Sequence, residues 1–426
     1  MLQVTLKAFN SLFPHQRFSC RAFPVIIPAT SRSAMERQLP IAFKCGLANT
    51  ISDVLNQRPN WTSAKGEEWL FNWVTRDWMV SSFDHYPFRD RQIVCHYRND
   101  FELTRKDCLI KNFKKAKKNA KNPAELDFLP ASYVVPAEYH LFVEEFRKYP
   151  PDTVWIMKPV SGAQGKGIFL FRKLKEITDW RRKDIGSAVE TQPYLVQKYV
   201  DSPNLIGGKK YDVRIYVLVT SFRPLNAWVH REGFARFSHS RYSMTSVEDA
   251  YVHLTNVAIA KSAPDFDAER GLKWNLFKWK RYLTAMSGQE KTRKVMEDIG
   301  AIIIESLRFV SASIIQNKHC CELFGYDVLL DSSLKPWLLE VNASPSLTAS
   351  SQEDYEMKFR VLDHMLDVLD LENRLTGQET KVGGFDLLLR NNEPVRTSAT
   401  GDPSRKPTFF TPSLNIRLGA SVDSRA

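Results

Sequence analysis

Phe324-Gly-Tyr-Asp-Val-Leu-Leu-Asp-Ser-Ser-Leu-Lys-Pro-Trp-Leu-Leu-Glu-Val-Asn-Ala-Ser-Pro-Ser-Leu347 is the stretch on which the reading of the chain turns. Two apolar runs, Tyr326–Leu330 and Trp337–Val341, flank a polar turn at Asp331–Lys335, which is the pattern of a β-hairpin. With the turn centred between Ser333 and Leu334, Asp327 lies opposite Glu340. Glu340 and Asn342 then share a face, because side chains alternate along a strand. Opposed Cβ atoms are about 5 Å apart. Two unpaired carboxylates at that distance repel unless a hard cation lies between them, and Mg²⁺ accepts this oxygen set together with phosphates and water. A surface hairpin with scattered acids is the alternative, although acids amid Leu, Val and Trp are seldom decoration.

Upstream, further segments carry charge into apolar surroundings. Lys158-Pro-Val-Ser-Gly-Ala-Gln-Gly-Lys-Gly-Ile168 joins two strand-like runs. Its glycines let backbone N–H groups approach phosphate oxygens, while Lys158 and Lys166 add charge. It is no P-loop, since Gly167 stands where Ser or Thr should follow Gly-Lys and a strand follows rather than a helix. A plain hairpin turn is the bland alternative. Gln197-Lys-Tyr-Val200 ends a strand and can offer backbone groups to an adenine edge. Lys210, Asp212 and Arg214 fall at i, i+2 and i+4 of a long apolar strand, so all three face one way. That suggests a charged cleft or a salt-bridged outer face. Arg236 and His253-Leu-Thr-Asn256 are weaker signals, and His253 alone reads as a hydrogen-bonded core histidine. There is no defensible Ser/His/Asp or Cys/His array. A phosphate loop, a cationic strand and an acidic hairpin in that order suit phosphoryl transfer, where cations neutralise phosphates and positioning does the rest.

The 426 residues carry 60 Lys and Arg against 48 Asp and Glu, a net charge of +12. Such a surplus favours acidic partners. Nucleic acid is not favoured, because the main basic run, Arg105–Lys121, lacks the interleaved aromatics of a stacking surface. That run holds eight Lys or Arg against one Asp and reads as a solvated helix face or a docking surface for an acidic partner. No apolar run approaches the ~20 residues of a membrane span. Six cysteines without C-x-x-C or zinc spacing read as reduced thiols of a cytosolic protein. Residues 1–35 contain no Asp or Glu but include Lys7, Arg17, Arg21 and Arg32. They fit a transit peptide, a stretch ahead of a later start at Met35, or a disordered tail.

Periodicity predicts helices over Ile41–Leu55, Arg105–Lys121, Glu138–Lys148, Gly271–Ser287, Glu290–Gln316 and Tyr355–Leu375. It predicts strands at Val154–Lys158, Gly167–Phe171, Tyr194–Val200, Tyr211–Thr220 and Ala227–His230. The four tryptophans between Trp61 and Trp78 predict an aromatic core in a small α+β unit. From Gly377 the Pro/Gly/Ser/Arg-rich composition predicts a mostly disordered tail.

The order Lys158-Pro, Gln164-Gly-Lys-Gly-Ile168, Lys210-x-Asp-x-Arg214, His253-Leu-Thr-Asn256 and Glu340-Val-Asn-Ala-Ser-Pro345 resembles the tubulin tyrosine ligase-like family over about residues 40–390, and in finer detail its polyglutamylase branch. The resemblance implies an α+β ATP-grasp fold, with an N-terminal domain at 40–130, a central domain at 131–200 and a C-terminal domain at 201–376. It implies ATP and Mg²⁺. Lys158, Gln164, Gly165 and Lys166 would hold phosphates, and Gln197, Lys198, Tyr199 and Val200 the adenine. Lys210, Asp212, Thr255 and Asn256 would also contact the nucleotide, and Asp327, Glu340 and Asn342 the metal. Arg236, Lys273 and Lys358 match positions that bind incoming glutamate, and Arg214 or Arg236 would stabilise developing negative charge. Many relatives carry Tyr-Ser where this chain has Val257-Ala258, a departure that bears on amino-acid choice. The implied reaction joins free L-glutamate to the γ-carboxylate of glutamates in tubulin tails through an acyl phosphate, in the cytoplasm, the cytoskeleton and the cilium, flagellum and basal body. Addition of another amino acid such as glycine, and non-catalytic microtubule or cilium binding, are the alternatives. Gly377–Ala426 holds seven basic and five acidic residues, too small a surplus to grip a microtubule. The Arg105–Lys121 run or a delivery partner protein would then have to do so.

Overall fold

The computed structural model describes residues 40–162, 165–177, 193–267, 273–343 and 345–395. The expectations placed on residues 1–35, on Gln164 and on the last 31 residues of the tail lie outside the described residues.

Three sheets follow one another along the described chain. The first is parallel and ordered β2-β1-β3-β4, with β1 at Ile41–Cys45, β2 at Trp61–Ser63, β3 at Phe71–Trp73 and β4 at Ile93–Val94. Helix α1 (Thr50–Gln57) links β1 to β2. The single helix expected over Ile41–Leu55 is therefore a strand and a helix. Ile41 and Phe43 turn inward with the period of two of a strand, and the Asn49 side chain caps the Ile51 N–H at 3.2 Å, so helix begins only at Thr50. The basic run becomes α2 (Lys106–Asn119). Only part of it is a free cationic face. Lys114 bonds both carboxylate oxygens of Glu138, at 2.9 and 2.8 Å, and Lys106 turns inward, while Lys111, Lys115 and Lys118 are exposed at helical spacing.

The second sheet is antiparallel, ordered β5-β8-β6-β7, with β5 at Ser132–Val135, β6 at Trp155–Pro159, β7 at Phe169–Phe171 and β8 at Tyr194–Lys198. Helix α3 (Tyr139–Phe146) packs on it through Phe142, whose ring lies 5.1 Å from that of Trp155.

The third sheet has nine strands and carries the charged face. They are β9 (Leu205–Ile206), β10 (Lys209–Phe222), β11 (Leu225–Phe237), β12 (Lys273–Asn275), β13 (Glu322–Leu330), β14 (Pro336–Ala343), β15 (Lys381–Val382), β16 (Phe385–Arg390) and β17 (Glu393–Pro394). The main path is β14-β13-β10-β11-β16-β15. Helices α4 (Leu276–Ser287) and α5 (Gln289–Ser311) lie between β12 and β13, and α6 (Gln352–Leu369) follows β14. The apolar stripes of α5 and α6 join one cluster with Tyr211, Val213 and Ile215 of β10. The core thus takes one face of β10 and leaves Lys210, Asp212 and Arg214 to the other.

Three further expectations need correction. The strand expected at Ala227–His230 runs from Leu225 to Phe237, because Gly233 lets β11 press against β10. A Cβ there would lie 2.3 Å from the Arg214 carbonyl oxygen. The helix expected from Gly271 begins at Leu276, after the β12 pairing of Lys273 with Arg236, and the Asn275 side chain caps the Lys278 N–H at 2.8 Å. The tail is ordered to Val395. Leu387, Leu388 and Leu389 are buried as β16 pairs with β11, an apolar run that the surrounding polar composition masked.

The decisive hairpin forms, with an irregularity the sequence does not advertise. At the turn the pairs are Leu330 with Pro336 and Val328 with Leu338, while beyond it Asp327 meets Glu340 and Tyr326 meets Val341. Leu339 is the extra residue of a β-bulge. Were the turn-end register to run on unbroken, Asp327 would meet Leu339 and Glu340 would point to the other face. The expected pairing is therefore correct, but the bulge supplies the one-residue offset that had been assigned to the turn.

Gly233→Ala should force β10 and β11 apart beside Arg214. We expect a loss of ~1–3 kcal/mol, the usual range for overpacking, read from chemical denaturation. Unchanged stability would mean that the close approach is not structural.

Candidate active site

The charged residues of the third sheet form two neighbouring rows. In the first, Glu340 of β14, Asp327 of β13 and Arg214 of β10 are register partners in turn. In the second, Asp212 of β10 pairs with Arg236 of β11, which pairs with Lys273 of β12. The two rows cross-link. Arg214 donates to both oxygens of Asp327, at 2.5 and 2.9 Å. Arg236 donates to both oxygens of Asp212, at 2.7 and 2.6 Å, and again to Asp327 Oδ2 at 2.6 Å. Asn342 Nδ2 adds a bond to Asp327 Oδ2 at 3.2 Å. Burial pushes the Asp327 carboxyl up, but the charges of Arg214 and Arg236 outweigh it and hold it below the usual carboxylate range. Burial dominates at Asp212, whose carboxyl is raised.

Facing this wall, Lys158 donates to Gln197 Oε1 at 2.7 Å, and Gln197 to Ser132 Oγ at 2.9 Å. Lys210 donates to the Tyr199 hydroxyl at 2.8 Å and the His253 carbonyl at 2.9 Å. His253 Nδ1 lies 3.0 Å from the same hydroxyl and its Nε2 2.8 Å from the Ser246 carbonyl, which is the hydrogen-bonded core role expected of it. Burial lowers Lys158 to about 8 and Lys210 to about 7. In the glycine loop, Gly165 has φ +79°, and a Cβ there would strike Ile259 and crowd Asn256 Oδ1. The loop therefore closes on the segment after His253, as only glycine permits.

The charged groups of both walls line one cavity of about 730 Å³. Every described residue marked out from the sequence lines it, including Lys166, Lys198, Val200, Thr255, Val257, Ala258 and Lys358. Ten Lys and Arg and three carboxylates line it among the described residues, so ten minus three leaves seven formal positive charges. Sequence reasoning missed two of the ten. Lys106 reaches Glu340 at 3.2 Å and the Gly162 carbonyl at 3.4 Å, bridging the hairpin and the glycine loop. Its position within a basic run hid it. Lys261 follows a short apolar helix and gave no signal. A third omission, Asp354, stands behind Lys273 and Lys358, and its i, i+4 spacing to Lys358 was legible.

The oxygen set suits a hard divalent cation: two carboxylates and an amide at adjacent register positions of one cavity wall. Asp327 is at present neutralised by Arg214 and Arg236, and Glu340 by Lys106. These side-chain cations do for the carboxylates what a metal would do, so the donors fit the ion in kind and in charge.

The fold and cleft define a mixed helix–strand protein with a strongly cationic cavity built on a long antiparallel sheet. The model of the tubulin-tyrosine ligase family matches residues 85–376, and the chain belongs to that family. It is 61% identical over 399 residues to the probable tubulin polyglutamylase ttll-9 of Caenorhabditis elegans, covering 92% of this chain and 95% of the relative. It is 46% identical over 427 residues to the probable tubulin polyglutamylase TTLL9 of Mus musculus, covering 92% of each. The probable alpha-tubulin polyglutamylase Ttll1 of Tetrahymena thermophila is 37% identical over 377 residues, covering 80% of this chain and 90% of that protein.

A polyphosphate should bind the cavity more weakly as pH rises from 6.5 to 8.5, because Lys210 and then Lys158 lose the charge that attracts it. The fall is at most about tenfold per pH unit for each proton lost. Titration calorimetry with tripolyphosphate checks this. Lys210→Arg, whose guanidinium stays charged, should flatten the slope below pH 8.

Proposed function

We propose that the chain is an ATP- and Mg²⁺-dependent ligase that adds glutamate to the γ-carboxylates of glutamates in tubulin C-terminal tails. The observation that carries this reading is the cavity itself, with seven surplus positive charges opposite a carboxylate–amide hairpin. Nucleotide, incoming glutamate and acceptor tail all carry net negative charge, and a cleft of this sign gathers them. The names of the relatives support the same reading. We place the ligase at the cytoskeleton on the same grounds, and at the cilium and basal body from the family resemblance of its motifs.

In this reading the layout is that of an ATP-grasp ligase, with the central sheet at 131–200 and the charged sheet from 201 onward closing on ATP, and residues 40–130 flanking them. Lys158, Lys166 and the glycine loop hold the phosphates, and Gln197–Val200 borders the adenine. Asp327, Glu340 and Asn342 would hold Mg²⁺, which would supply neutralisation of the phosphate charge that builds during transfer. Lys106, beside the loop, would add a further cation. The γ-phosphoryl group of ATP passes to the acceptor carboxylate and ADP is the leaving group. The amine of glutamate attacks the resulting acyl phosphate, losing a proton as phosphate departs and the isopeptide bond forms. The protein contributes alignment and charge neutralisation, with no covalent link to the chain. Arg236 is fixed by two aspartates. It therefore acts as a rigid cation at the sheet and cannot swing to the substrate alone.

Val257 and Ala258 line the cavity without the hydroxyls that the corresponding Tyr-Ser pair supplies in many relatives, which favours a second reading in which another amino acid, glycine above all, is ligated. Mass spectrometry of tubulin tails after incubation with the purified chain, ATP, Mg²⁺ and a panel of amino acids decides between them. ATP-dependent glutamate adducts are expected. Glycine adducts alone, or none, would overturn the proposal.

Glu340→Gln should abolish ligation while the melting temperature falls only slightly, since the partly exposed pair with Lys106 loses its charge but the side chain keeps its shape. Persisting ATP-dependent glutamylation by this variant would remove Glu340 from the metal site.

A further inference from the structure

Behind the end of the cavity that Lys273 and Lys358 line, Asp354 of α6 is buried and gathers an unusual number of donors onto one oxygen. Asp354 Oδ2 accepts from Lys273 at 2.9 Å, Lys358 at 3.1 Å, the Ser350 N–H at 2.8 Å and the Ser350 hydroxyl at 3.0 Å. Its Oδ1 is buried without a hydrogen-bond partner among the described residues. The two ammonium groups share one acceptor atom, so their nitrogens can be no further apart than 2.9 plus 3.1, or 6.0 Å.

The donor count is informative. A lysine has three N–H donors. Lys273 uses one on Asp354 and one on Ser350 Oγ, and Lys358 uses one on Asp354 and one on the Thr348 carbonyl. Among the described residues each keeps one N–H, and both lysines line the cavity, whereas Asp354 does not. Two spare donors converging from two ammonium groups suit the two oxygens of one carboxylate.

We propose that Asp354 is the positioning residue that makes this site select an amino acid with an acidic side chain, by clamping Lys273 and Lys358 into a two-pronged carboxylate receptor. The inference rests on the glutamate-ligase reading and deepens it. Asp354 touches no substrate and acts through the lysines. Without it their four-carbon stems are free to turn. The charge also matters. Burial lowers Lys273 to about 8 and lowers Lys358, and Asp354 opposes both shifts. The other groups facing the pair are Arg214 of β10, which lowers both lysines further, and Tyr216 of the same strand, buried and neutral. The Phe234 ring of β11 lies 4.5 Å beneath Lys273. Asp354 is thus the one carboxylate among these neighbours that keeps the prongs protonated.

The test uses the full chain with tubulin, ATP, Mg²⁺ and glutamate. Asp354→Asn keeps the shape and removes the charge. It should raise the KM for glutamate at least tenfold, leave kcat and the KM for ATP within about threefold, and show a larger rise at pH 8.5 than at pH 6.5. Asp354→Glu, which restores the charge, should recover part of the glutamate affinity. Should Asp354→Asn melt well below the wild type, Ser350→Ala carries the test. It keeps the carboxylate but frees one prong, and a rise of about threefold in the glutamate KM alone is expected. An unmoved glutamate KM, or glutamate and ATP values rising together, overturns the clamp. Wild-type chain that adds no glutamate in the same assay overturns the ligase reading itself, so the two failures are told apart.

Discussion

The cleft depends on one fully buried carboxylate remaining charged. Asp327 has no exposed surface, and its oxygens accept from two guanidinium groups and an amide. Taking such a charge out of water is costly, and removing one partner of a buried pair typically costs ~3–5 kcal/mol. Arg214 and Arg236 are thus as much a part of the fold as of the site. Each is in turn fixed, Arg214 by β-pairing directly beside Asp327 and Arg236 by Asp212. The network makes the wall rigid before any substrate arrives, which is what electrostatic preorganisation requires.

The same wall shows how a sheet can be built to hold charge. One face of β10 packs Tyr211, Val213 and Ile215 into the core, and the other presents Lys210, Asp212 and Arg214 to the cavity. Arg236 of β11 then answers Asp212, and Asp327 of β13 answers Arg214, at register positions. Gly233 and the Leu339 bulge are the two backbone devices behind this. The first draws β11 close to β10, and the second turns Glu340 to the face of Asp327. Both are local concessions in regular structure, placed where the charges meet.

Much of this was legible in the sequence because period-two alternation separates charged from apolar residues within a strand. The shared face of Lys210, Asp212 and Arg214 follows from that rule alone, whereas Asp327 meets Glu340 only because the bulge at Leu339 shifts the register. What was not legible depended on partners distant in the chain. Lys106 reads as one more cation of a basic helix until its contact with Glu340, more than 200 residues later, is seen. The first helix was misplaced because Ile41 and Phe43 fit a helical stripe as well as a strand edge, and only pairing with β2 and β3 decides. The ordered strands after Gly377 were hidden by composition, since a six-residue strand averages away in a polar window. The departure at Val257 and Ala258 was visible from the sequence, and both residues line the cavity.

The cross-strand charges have a consequence for how the protein reaches its fold. β10 and β13 are both apolar runs, and hydrophobic patterning cannot tell the native pairing from one displaced by two residues, which keeps every side chain on its own face. The charges can. Asp327 meets Arg214 in the native ladder. Displaced by two in one direction it would meet Asp212, and in the other Tyr216. Either error buries an unanswered carboxylate at the heart of the sheet. The residues that equip the cleft for polyanions therefore also proofread strand assembly, and a chain that has closed the wrong ladder is penalised long before it meets a substrate.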